Sequence, residues 1–410
     1  MPKISKILLL AVSVVLVVTV FLGVNSSGVS AATEPQDGAY RQIDVYSEVL
    51  RHIQTDYVTV PDIGDVTNGA LRGLLESLDA DSSYLSPNDY KAYKEDKGGK
   101  AQVGMNVSKR YGYATVVSVV PNGPADKAGL SDGDIIEGIG GQDTRDISLA
   151  MIQRMLEGQT GSELTLAVVR PRKAAPDKIV LIRTASALPP VAETMYENAT
   201  ILYLKPGVLD REHVQQIETK LKAMGKNNNK KVLLDLRDVA AGDMAEATRL
   251  ANFFLKTGTI AMLEGQKVEK QTFVAEPSKA IDASAPLVVL VNRGTAGPAE
   301  LVAAALLDNK RAELVGEKTF GEGAQQKTFE LPDGGALILS VAKYESPDGK
   351  KLQDDGVTPD VTVASNINDE ADAVEDETTG TQTEKPLQKP SVTVDEPLTK
   401  ALDLLKNKAA

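Results

Sequence analysis

The sequence contains no cysteine, no tryptophan and two histidines among its 410 residues. Without cysteine the chain has no disulfide bonds, no cysteine-based metal sites and no thiol nucleophile. His52 and His213 are far apart in the sequence, so very few residues are available for a zinc site or for a serine–histidine–aspartate triad. We therefore expect each histidine at the surface, and we expect neither a metal site nor a cofactor.

Aromatic residues make up only 4% of the chain, and the net charge is −12. The scarcity of aromatic side chains argues against a platform on which carbohydrate or single-stranded nucleic acid stacks. The negative charge argues against a partner with a phosphate backbone, so nucleic acid is not an expected partner. The hydrophobic fraction of 42% is enough for the cores of two or three domains in a chain of this length.

The first 32 residues are typical of an export signal. Lys3 and Lys6 precede an apolar run of 18 residues, Ile7 to Val24, and small residues at Val29 to Ala31 offer a cleavage site. A run of that length is also close to the least that spans a bilayer, so a cleaved signal peptide and an uncleaved membrane anchor both stay open. Either one places the rest of the chain outside the cytoplasmic membrane, in the cell envelope or secreted.

Residues 40–95 are predicted to form a small helical region. Apolar residues at alternating spacings of three and four share one face of its first helix: Ile43, Tyr46, Leu50, Ile53 and Tyr57. Asp65 is expected to cap a second helix with a leucine-rich face. These faces suit ordinary core packing, and a dimerisation arm is the alternative.

Residues 176–365 alternate apolar strand candidates with helical patterns. The strand candidates are Ile201 to Leu204, Val232 to Leu236, Leu287 to Val291 and Ala336 to Ala342. The helical patterns run from His213 to Met224 and from Met244 to Leu255. Such alternation predicts layered α/β packing around a mainly parallel sheet.

One stretch of this region combines a strand, a turn and the start of a helix. Leu287 to Val291 is a continuous apolar run, as in a strand buried on both faces. Turn residues follow at Asn292 to Thr295, and Gly297-Pro298 opens a helix, because the first helical position needs no backbone N–H. The free N–H groups at such a helix start favour negative charge, which makes it a frequent place for chemistry.

This stretch resembles the catalytic core of the carboxy-terminal processing peptidases, also called tail-specific proteases. Members of the family carry an Asn-x-Gly-Ser/Thr-Ala-Ser-Ala-Ser-Glu segment whose middle serine is the nucleophile. A later Phe-Gly-Lys-Gly supplies a lysine as general base, and a glutamine that orients the lysine follows. Here Asn292 to Glu300 corresponds to the first segment and Phe320 to Gln326 to the second, without gaps.

The residue types at these positions differ from those of the family. Gly297 stands at the position of the nucleophile and Glu322 at that of the base. The resemblance therefore implies that the side chains for nucleophilic attack and for general-base catalysis are both missing. Pro298 has no N–H for an oxyanion, and Ala241 lies where the family has its Asn-Pro-Gly-Gly oxyanion turn. Gln326 is retained. No catalytic residue is therefore expected.

Residues 97–175 resemble a PDZ domain, most specifically through the turn and short helix of Gly123 to Ile136. PDZ domains bind peptide C-termini as an added strand, and their backbone N–H groups hold the terminal carboxylate. Ile147 to Leu156 is expected to be the helix beside the groove. The loop and groove strand are assigned to Gln102, Val103, Gly104 and Met105, with Gln102 in place of a usual glycine. The groove either still binds tails or belongs to a structural spacer.

The resemblance covers roughly residues 40–365 and includes a Leu78 to Leu85 segment in which Asp81 replaces a histidine of the family. Beyond it, residues 366–393 are acidic with almost no apolar content, as in a disordered linker. Residues 394–410 are predicted to form a C-terminal helix, with leucines on one face. That helix either docks on the core or stays free.

The expected fold is α/β, with a layered peptidase-like core, an inserted PDZ domain (a partly open β-barrel with helices) and an N-terminal helical region. The resemblance implies an exported homologue that no longer cleaves and that binds protein or peptide C-termini in a regulatory or scaffolding role. An active homologous protease and a second copy of the chain are further candidate partners. The alternatives are an active serine-type endopeptidase, with Thr295 the least poor nucleophile, and an architectural envelope protein.

Overall fold

A computed structural model describes residues 36–95, 101–170, 175–185, 188–227, 229–364 and 394–408. The expected export segment (residues 1–32) and the expected linker (residues 366–393) lie outside these ranges. The chain divides into two compact units, one up to Thr67 and one from Asn68 onward. Within the described ranges, no helix has the length and apolar character needed to cross a membrane.

The helices are short apart from the first. They are α1 (Gln36–Asp56), α2 (Ile63–Glu76), α3 (Pro87–Lys94), α4 (Pro124–Lys127), α5 (Leu149–Leu156), α6 (Arg211–Ala223), α7 (Met244–Phe254), α8 (Pro298–Asp308) and α9 (Glu396–Asn407). Single 3-10 turns are formed by Thr144–Asp146 and Pro277–Lys279.

The strands form three sheets. They are β1 (Ser83–Leu85), β2 (Met105–Arg110), β3 (Tyr113–Val119), β4 (Ile135–Ile139), β5 (Gln142–Asp143), β6 (Glu163–Val169), β7 (Asp177–Ile182), β8 (Ala192–Tyr196), β9 (Ile201–Lys205), β10 (Lys231–Asp235), β11 (Thr259–Glu264), β12 (Gln271–Val274), β13 (Leu287–Val291), β14 (Glu313–Gly316), β15 (Ala324–Glu330), β16 (Ala336–Glu345) and β17 (Val361–Thr362).

The N-terminal helices form where the periodicity predicts them, and three of the five face residues of the first one are exposed. Ile43, Tyr46 and Tyr57 on α1 are 57%, 42% and 61% exposed. The dimerisation-arm interpretation of this face stays a prediction. Helix α2 begins earlier than expected, because the side chain of Asp62 accepts the backbone N–H groups of Gly64 and Asp65. Asp62 therefore caps this helix, where Asp65 was expected to do so.

The predicted parallel sheet has the strand order β17-β14-β13-β10-β9-β8, and only β8 runs antiparallel to its neighbour. Its central strands are buried on both faces, as the unbroken apolar run of β13 predicts. Leu287, Val289 and Val291 pack with α6, α7 and α8, while Val288 and Leu290 pack with α9 on the other face. The layered α/β core is confirmed.

A second sheet is antiparallel and was not predicted as a separate layer. Its order is β1-β16-β11-β12, and β15 forms a hairpin with β16. Strand β1 pairs with β16 across more than 250 positions of the sequence, with Ser83 opposite Ile338. This pairing brings the residues just before β1 beside the residues just before β15. No local pattern could reveal that neighbourhood, because it depends on a long-range register.

The PDZ domain is a sheet of order β2-β3-β4-β6-β7, with β5 paired to β4 and helix α5 beside β2. Its core holds buried residues from each of these elements except β5, among them Val107, Ile136, Ile152 and Leu166. Strand β7 pairs with β6 along its full length, so the sheet continues to Ile182.

The C-terminal helix α9 lies against the parallel sheet, which decides between the docked and free alternatives. Ala401 and Leu405 are fully buried there. At the C-terminal end, the ammonium group of Lys231 donates to the carbonyl oxygens of Leu405 and Lys408, both at 2.7 Å. These bonds add a charged donor to carbonyl groups at the end of the helix, where intrahelical N–H groups run out.

Arg237 stabilises both the core and the docked helix. Its guanidinium donates to both carboxylate oxygens of Asp235, which is fully buried, and also to Asp395 just before α9 at 2.9 Å and 3.0 Å. Arg145 makes the same two-residue-spaced contact with Asp143 at the surface, with its side chain 56% exposed. The two arginines therefore differ in burial and in the additional contact of Arg237 with Asp395.

We expect Arg237→Ala to lower the free energy of unfolding by about 3–5 kcal/mol, because it leaves the buried carboxylate of Asp235 without its partner. Arg145→Ala is the matched control and should leave stability unchanged within error, since water screens an exposed pair. Urea denaturation of both variants measures the difference. Equal losses in the two variants would contradict this account of Arg237.

Candidate functional site

Gly297 lies at the junction of β13 and α8, at the carboxyl edge of the parallel sheet. It is the residue directly before the helix, with φ 55° and ψ −116°. Residues with a side chain rarely adopt this conformation, and it costs them roughly 1–3 kcal/mol. The predicted helix start at Gly297-Pro298 is confirmed.

The turn that leads to Gly297 is held by buried hydrogen bonds. The hydroxyl of Thr295 donates to the carbonyl of Leu236 at 2.9 Å and accepts the N–H of Asn292 at 3.0 Å. The side chain of Asn292 bonds in turn to Asp238, with its amide donating to the carboxylate at 2.7 Å. Thr295 is fully buried. Its hydroxyl therefore braces the turn and does not face an open cleft.

Glu322 lies directly opposite Gly297, as the aligned segments predict. A Cβ atom built at Gly297 would be 3.8 Å from the carboxyl carbon of Glu322 and 3.9 Å from its Oε2. The remaining close atom is the carbonyl oxygen of Ala240, at 3.8 Å. The polar atoms nearest to this position thus belong to a carboxyl group and to a backbone carbonyl.

A fully buried carboxylate, Glu300, holds the two segments together. Its oxygens accept the backbone N–H groups of Gly297 at 3.0 Å, Gly321 at 2.8 Å and Glu322 at 2.7 Å. The hydroxyl of Thr319 donates to it as well. One side chain therefore fixes both the start of α8 and the loop before β15.

Neither Gly297 nor Pro298 has a backbone N–H left for an oxyanion. The N–H of Gly297 is bonded to Glu300, and Pro298 has none. At the other expected oxyanion position, the carbonyl of Ala241 accepts the N–H of Leu209 at 3.0 Å, while the N–H of Ala241 itself has no acceptor among the described residues. Gly242 follows with φ 138° and lies so close to Leu209 that a Cβ atom would be 2.4 Å from its carbonyl oxygen.

Gln326 and Asp81 complete the surroundings of Glu322. The amide of Gln326 donates to the carbonyl of Asp81 at 2.7 Å. The amide of Gln353 donates to the carboxylate of Asp81 at 2.9 Å, while its oxygen accepts the N–H of Gly323 at 2.8 Å. Gln326 thus positions the loop before β1.

The three carboxyl groups of the site have raised pKa values. Burial, followed by the charges of Asp81 and Glu300, raises the pKa of Glu322 to about 8. Burial raises the pKa of Glu300 to about 7, although its hydrogen bonds oppose the shift. Burial and the charge of Asp79 raise the pKa of Asp81 to about 6. At neutral pH Glu322 is therefore mainly protonated, and a protonated carboxyl group cannot accept a proton as a base.

The predicted peptide-binding loop lies before β2. Gln102 exchanges backbone hydrogen bonds with Thr184, at 3.1 Å and 3.0 Å, and Met105 is the first residue of the groove strand. Gly104 has φ 76°. The N–H groups of Val103 and Gly104 have no acceptor among the residues that the structure describes. Two neighbouring amides are therefore left for a ligand.

The PDZ domain touches the loop that carries Glu322. Arg110, at the end of β2, donates to the carbonyl of Phe320 at 2.9 Å, and its guanidinium carbon is 4.2 Å from the centre of that ring. Leu149, Ala150 and Gln153 of α5 line a cavity together with Glu322. The groove helix and the candidate site are thus adjacent.

Sequence reasoning missed the roles of Glu300, Asp81 and Gln353. The spacing Gly297-x-x-Glu300 could have revealed Glu300, because an acidic residue at the third helical position often bonds the N–H before the helix. The surface expectation for His213 is wrong: the residue is 4% exposed, and its ring bonds to Asp210 at 2.7 Å. No group of residues able to hold a metal ion occurs in the described part of the chain.

Known proteins share both the sequence and the architecture. Residues 201–363 match the sequence model of Peptidase family S41, and residues 115–170 match that of the PDZ domain. The carboxyl-terminal-processing peptidase 2 of Arabidopsis thaliana is 30% identical over 388 residues, which cover 86% of this chain and 74% of that protein. The chain belongs to the carboxyl-terminal processing peptidase family.

Other members of the family agree with this assignment. The carboxy-terminal-processing protease of Bartonella bacilliformis is 30% identical over 340 residues, covering 82% of this chain and 78% of that protein. The solved photosystem II D1 C-terminal processing protease superposes with a TM-score of 0.65 at 24% identity, over 78% of this chain and 93% of that one. That likeness shows a shared fold, and the expected combination of a peptidase-like core with a PDZ domain is confirmed.

Proposed function

We propose that this member of the carboxyl-terminal processing peptidase family binds protein C-termini without cleaving them. The protein acts outside the cytoplasmic membrane, where the pattern of residues 1–32 directs it. It holds tails in a regulatory or scaffolding role, either presenting them to an active protease of the same family or withholding them from it.

The environment of Gly297 carries this proposal. The three atoms nearest to a Cβ at this position belong to Glu322 and to the carbonyl of Ala240. Acyl transfer needs a nucleophile with a base beside it and N–H donors aimed at the oxyanion. Here a glycine faces a carboxyl group and a backbone carbonyl, and the neighbouring Pro298 has no N–H to offer.

Thr295 is a poor substitute nucleophile. Its hydroxyl donates to the carbonyl of Leu236 and is fully buried. An attacking hydroxyl needs a base within hydrogen-bond reach and a path to the substrate carbonyl. The hydrogen bonds of Thr295 to the backbone of Leu236 and Asn292 stabilise the turn instead.

Binding of tails is supported by the PDZ loop. The unpaired N–H groups of Val103 and Gly104 are suited to a terminal carboxylate, and β2 offers the edge to which an extended peptide adds. The contact between Arg110 and Phe320 sets this groove beside the candidate site. A tail held by the loop can therefore extend toward Glu322.

We expect residues 33–410 to bind a fluorescent peptide with an apolar C-terminal residue, and we expect binding to weaken at least about tenfold when the terminal carboxylate is replaced by an amide. The charged hydrogen bonds to the loop are lost in the amide, and each is worth roughly 1.5–3 kcal/mol. Fluorescence polarisation measures binding, and mass spectrometry of the same samples should find the peptide intact.

Two glycine variants distinguish a change in the binding loop from a general effect on the fold of the domain. Gly104→Ala should weaken binding, whereas Gly133→Ala in the same domain should not. Both glycines have positive φ, 76° and 84°, so both variants carry similar backbone strain. Equal affinity for the acid and the amide would contradict capture by the loop, and cleaved peptide would contradict the non-cleaving role.

A further inference from the structure

Arg183, the residue directly after β7, lies at the C-terminal end of the groove helix α5. Its Nε donates to the carbonyl of Leu156 at 3.1 Å, and one Nη donates to the carbonyl of Met155 at 2.6 Å. The other Nη donates to the hydroxyl of Ser162 and to the carbonyl of Glu163, both at 3.0 Å. All three nitrogens of the guanidinium are therefore bonded to neutral groups.

The positive charge of Arg183 has no carboxylate partner among the residues that the structure describes. Burial lowers the pKa of its guanidinium, and the charge of no neighbouring carboxylate opposes the shift. The side chain stays charged, because arginine does not lose its proton in proteins. Other arginines of the domain are paired: Arg154 lies 2.7 Å from Glu157, and Arg170 lies 3.7 Å from Asp134.

Arg183 also lies beside the predicted peptide-binding loop. Ala101 and Gly158 exchange backbone hydrogen bonds at 3.2 Å and 3.0 Å, just before this loop. A Cβ built at Gly158 would be 2.9 Å from the Cδ of Arg183 and 3.0 Å from its Nε. Thr184, the next residue in the chain, exchanges backbone hydrogen bonds with Gln102 in the loop. The guanidinium therefore packs between the two segments that pair with the start of the loop.

The end of α5 would otherwise disfavour an anion at this place. The last carbonyl groups of a helix carry partial negative charge. Helix α5 ends at Leu156, and Gly158 follows it at the start of the loop. By donating to the carbonyls of Met155 and Leu156, Arg183 offsets that partial charge and adds a full positive charge beside the loop.

We propose that Arg183 is a positioning residue for the tail and makes the loop selective for a free terminal carboxylate. This role rests on the proposed function, since it concerns the tails that the same loop holds. The donors of Arg183 are already used, so it acts through its charge and by fixing the end of α5. The contacts to the carboxylate itself are left to the N–H groups of Val103 and Gly104.

The test compares Arg183→Gln with Arg183→Lys, using peptides that end in a free carboxylate or in an amide. Both variants lose the fork that reaches two carbonyls of α5, but only lysine keeps the charge. Arg183→Gln should lower the preference for the acid over the amide roughly three- to tenfold. Arg183→Lys should keep the preference. Loosening of α5 alone should weaken both peptides alike, so the ratio of the two affinities reports the charge.

The matched control is Arg145→Gln. It removes the same charge from the same domain, at an exposed position beside Tyr113 and the far end of β2. The preference for the acid should therefore not change. A salt series gives a second reading: the preference of the natural chain should fall as ionic strength rises, and that of Arg183→Gln should fall less.

An unchanged preference in Arg183→Gln, or equal losses in Arg183→Gln and Arg183→Lys, would overturn this role alone. If Arg183→Gln does not fold, Arg183→Lys and the salt series decide. Loss of the preference in a folded Arg183→Lys, or a natural preference that salt leaves unchanged, would then overturn the role. Failure of both peptides to bind the natural chain would overturn the proposed function together with it.

Discussion

Residues 33–410 of the natural chain, incubated with an unstructured protein that ends in an apolar tail, leave that protein intact. A variant that restores the residue types of the family at four positions cuts it near its C-terminus. The four substitutions are Gly297→Ser, Glu322→Lys, Pro298→Ala and Asp81→His. We expect this pair of results from a peptidase assay followed by gel electrophoresis and mass spectrometry. Loss of nucleophile and base alone costs on the order of a million-fold in kcat in serine peptidases, so the contrast should be large.

The backbone is suited to this restoration. Gly297 already has φ 55° and ψ −116°, and no atom outside its own turn lies closer than 3.8 Å to a Cβ built there. A serine would carry backbone strain of roughly 1–3 kcal/mol without a steric clash. Its side chain would lie beside position 322, which is where a lysine must be to accept its proton.

The remaining two substitutions address the surroundings of the serine. Pro298→Ala returns a backbone N–H, and one oxyanion donor is typically worth about a hundred- to a thousandfold in rate. Asp81→His removes a carboxylate next to position 322, which would otherwise keep the new lysine protonated and unable to act as a base. We therefore expect the double variant Gly297→Ser, Glu322→Lys to cut weakly, and the fourfold variant to cut faster by a hundredfold or more.

The matched control has alanine in place of serine at residue 297 in the fourfold background. It has the same backbone strain and the same neighbours but no hydroxyl, so it should not cut. Cleavage by this control, or by the natural chain, would place the nucleophile elsewhere in the protein and would contradict the proposed function.

Replacing Glu300 with alanine should lower the free energy of unfolding by about 4 kcal/mol. Four donors lose their acceptor: the N–H groups of Gly297, Gly321 and Glu322, and the hydroxyl of Thr319. Each unsatisfied buried donor costs roughly 1–3 kcal/mol, and partial relaxation of the loop keeps the total below the sum. Urea denaturation monitored by circular dichroism gives the value.

A second readout distinguishes the local role of Glu300 from general destabilisation. Hydrogen exchange of the loop before β15 and of the first turn of α8 should accelerate together, because one carboxylate holds both. The stability and the exchange rates of Glu300→Gln should lie between those of the natural chain and those of Glu300→Ala. The glutamine amide keeps one acceptor oxygen, but its NH₂ group is a donor that faces other donors. Glu269→Ala at the surface is the control and should change neither readout. An unchanged stability for Glu300→Ala would remove Glu300 from its central place in this site.

Much of the architecture follows from local patterns in the sequence. The unbroken apolar run Leu287 to Val291 indicates a strand buried on both faces, and the strand has these bounds. Gly297-Pro298 indicates a helix start, and α8 begins there because proline at the first helical position loses no hydrogen bond. Both patterns involve only neighbouring residues, so they can be identified from the sequence alone.

The meeting of Gly297 and Glu322 could be predicted only through the resemblance to a family. No periodicity places residue 322 beside residue 297, and the two meet because the loop before β15 crosses the start of α8. The same reason explains the four donors of Glu300, which come from two segments about twenty positions apart. The spacing from Gly297 to Glu300 hinted at one of these bonds and at none of the others.

By itself, then, the sequence determined the elements of this protein, the family frame and the residue types that stand at Gly297, Pro298 and Glu322. Only the tertiary structure decided which charges share one enclosure. Asp81 reaches Glu322 because β1 pairs with β16, on the far side of the PDZ domain in the sequence. That pairing depends on long-range register and packing, which no local pattern contains. Burial at the place where the two residues meet raises the pKa of both carboxyl groups, Asp81 and Glu322.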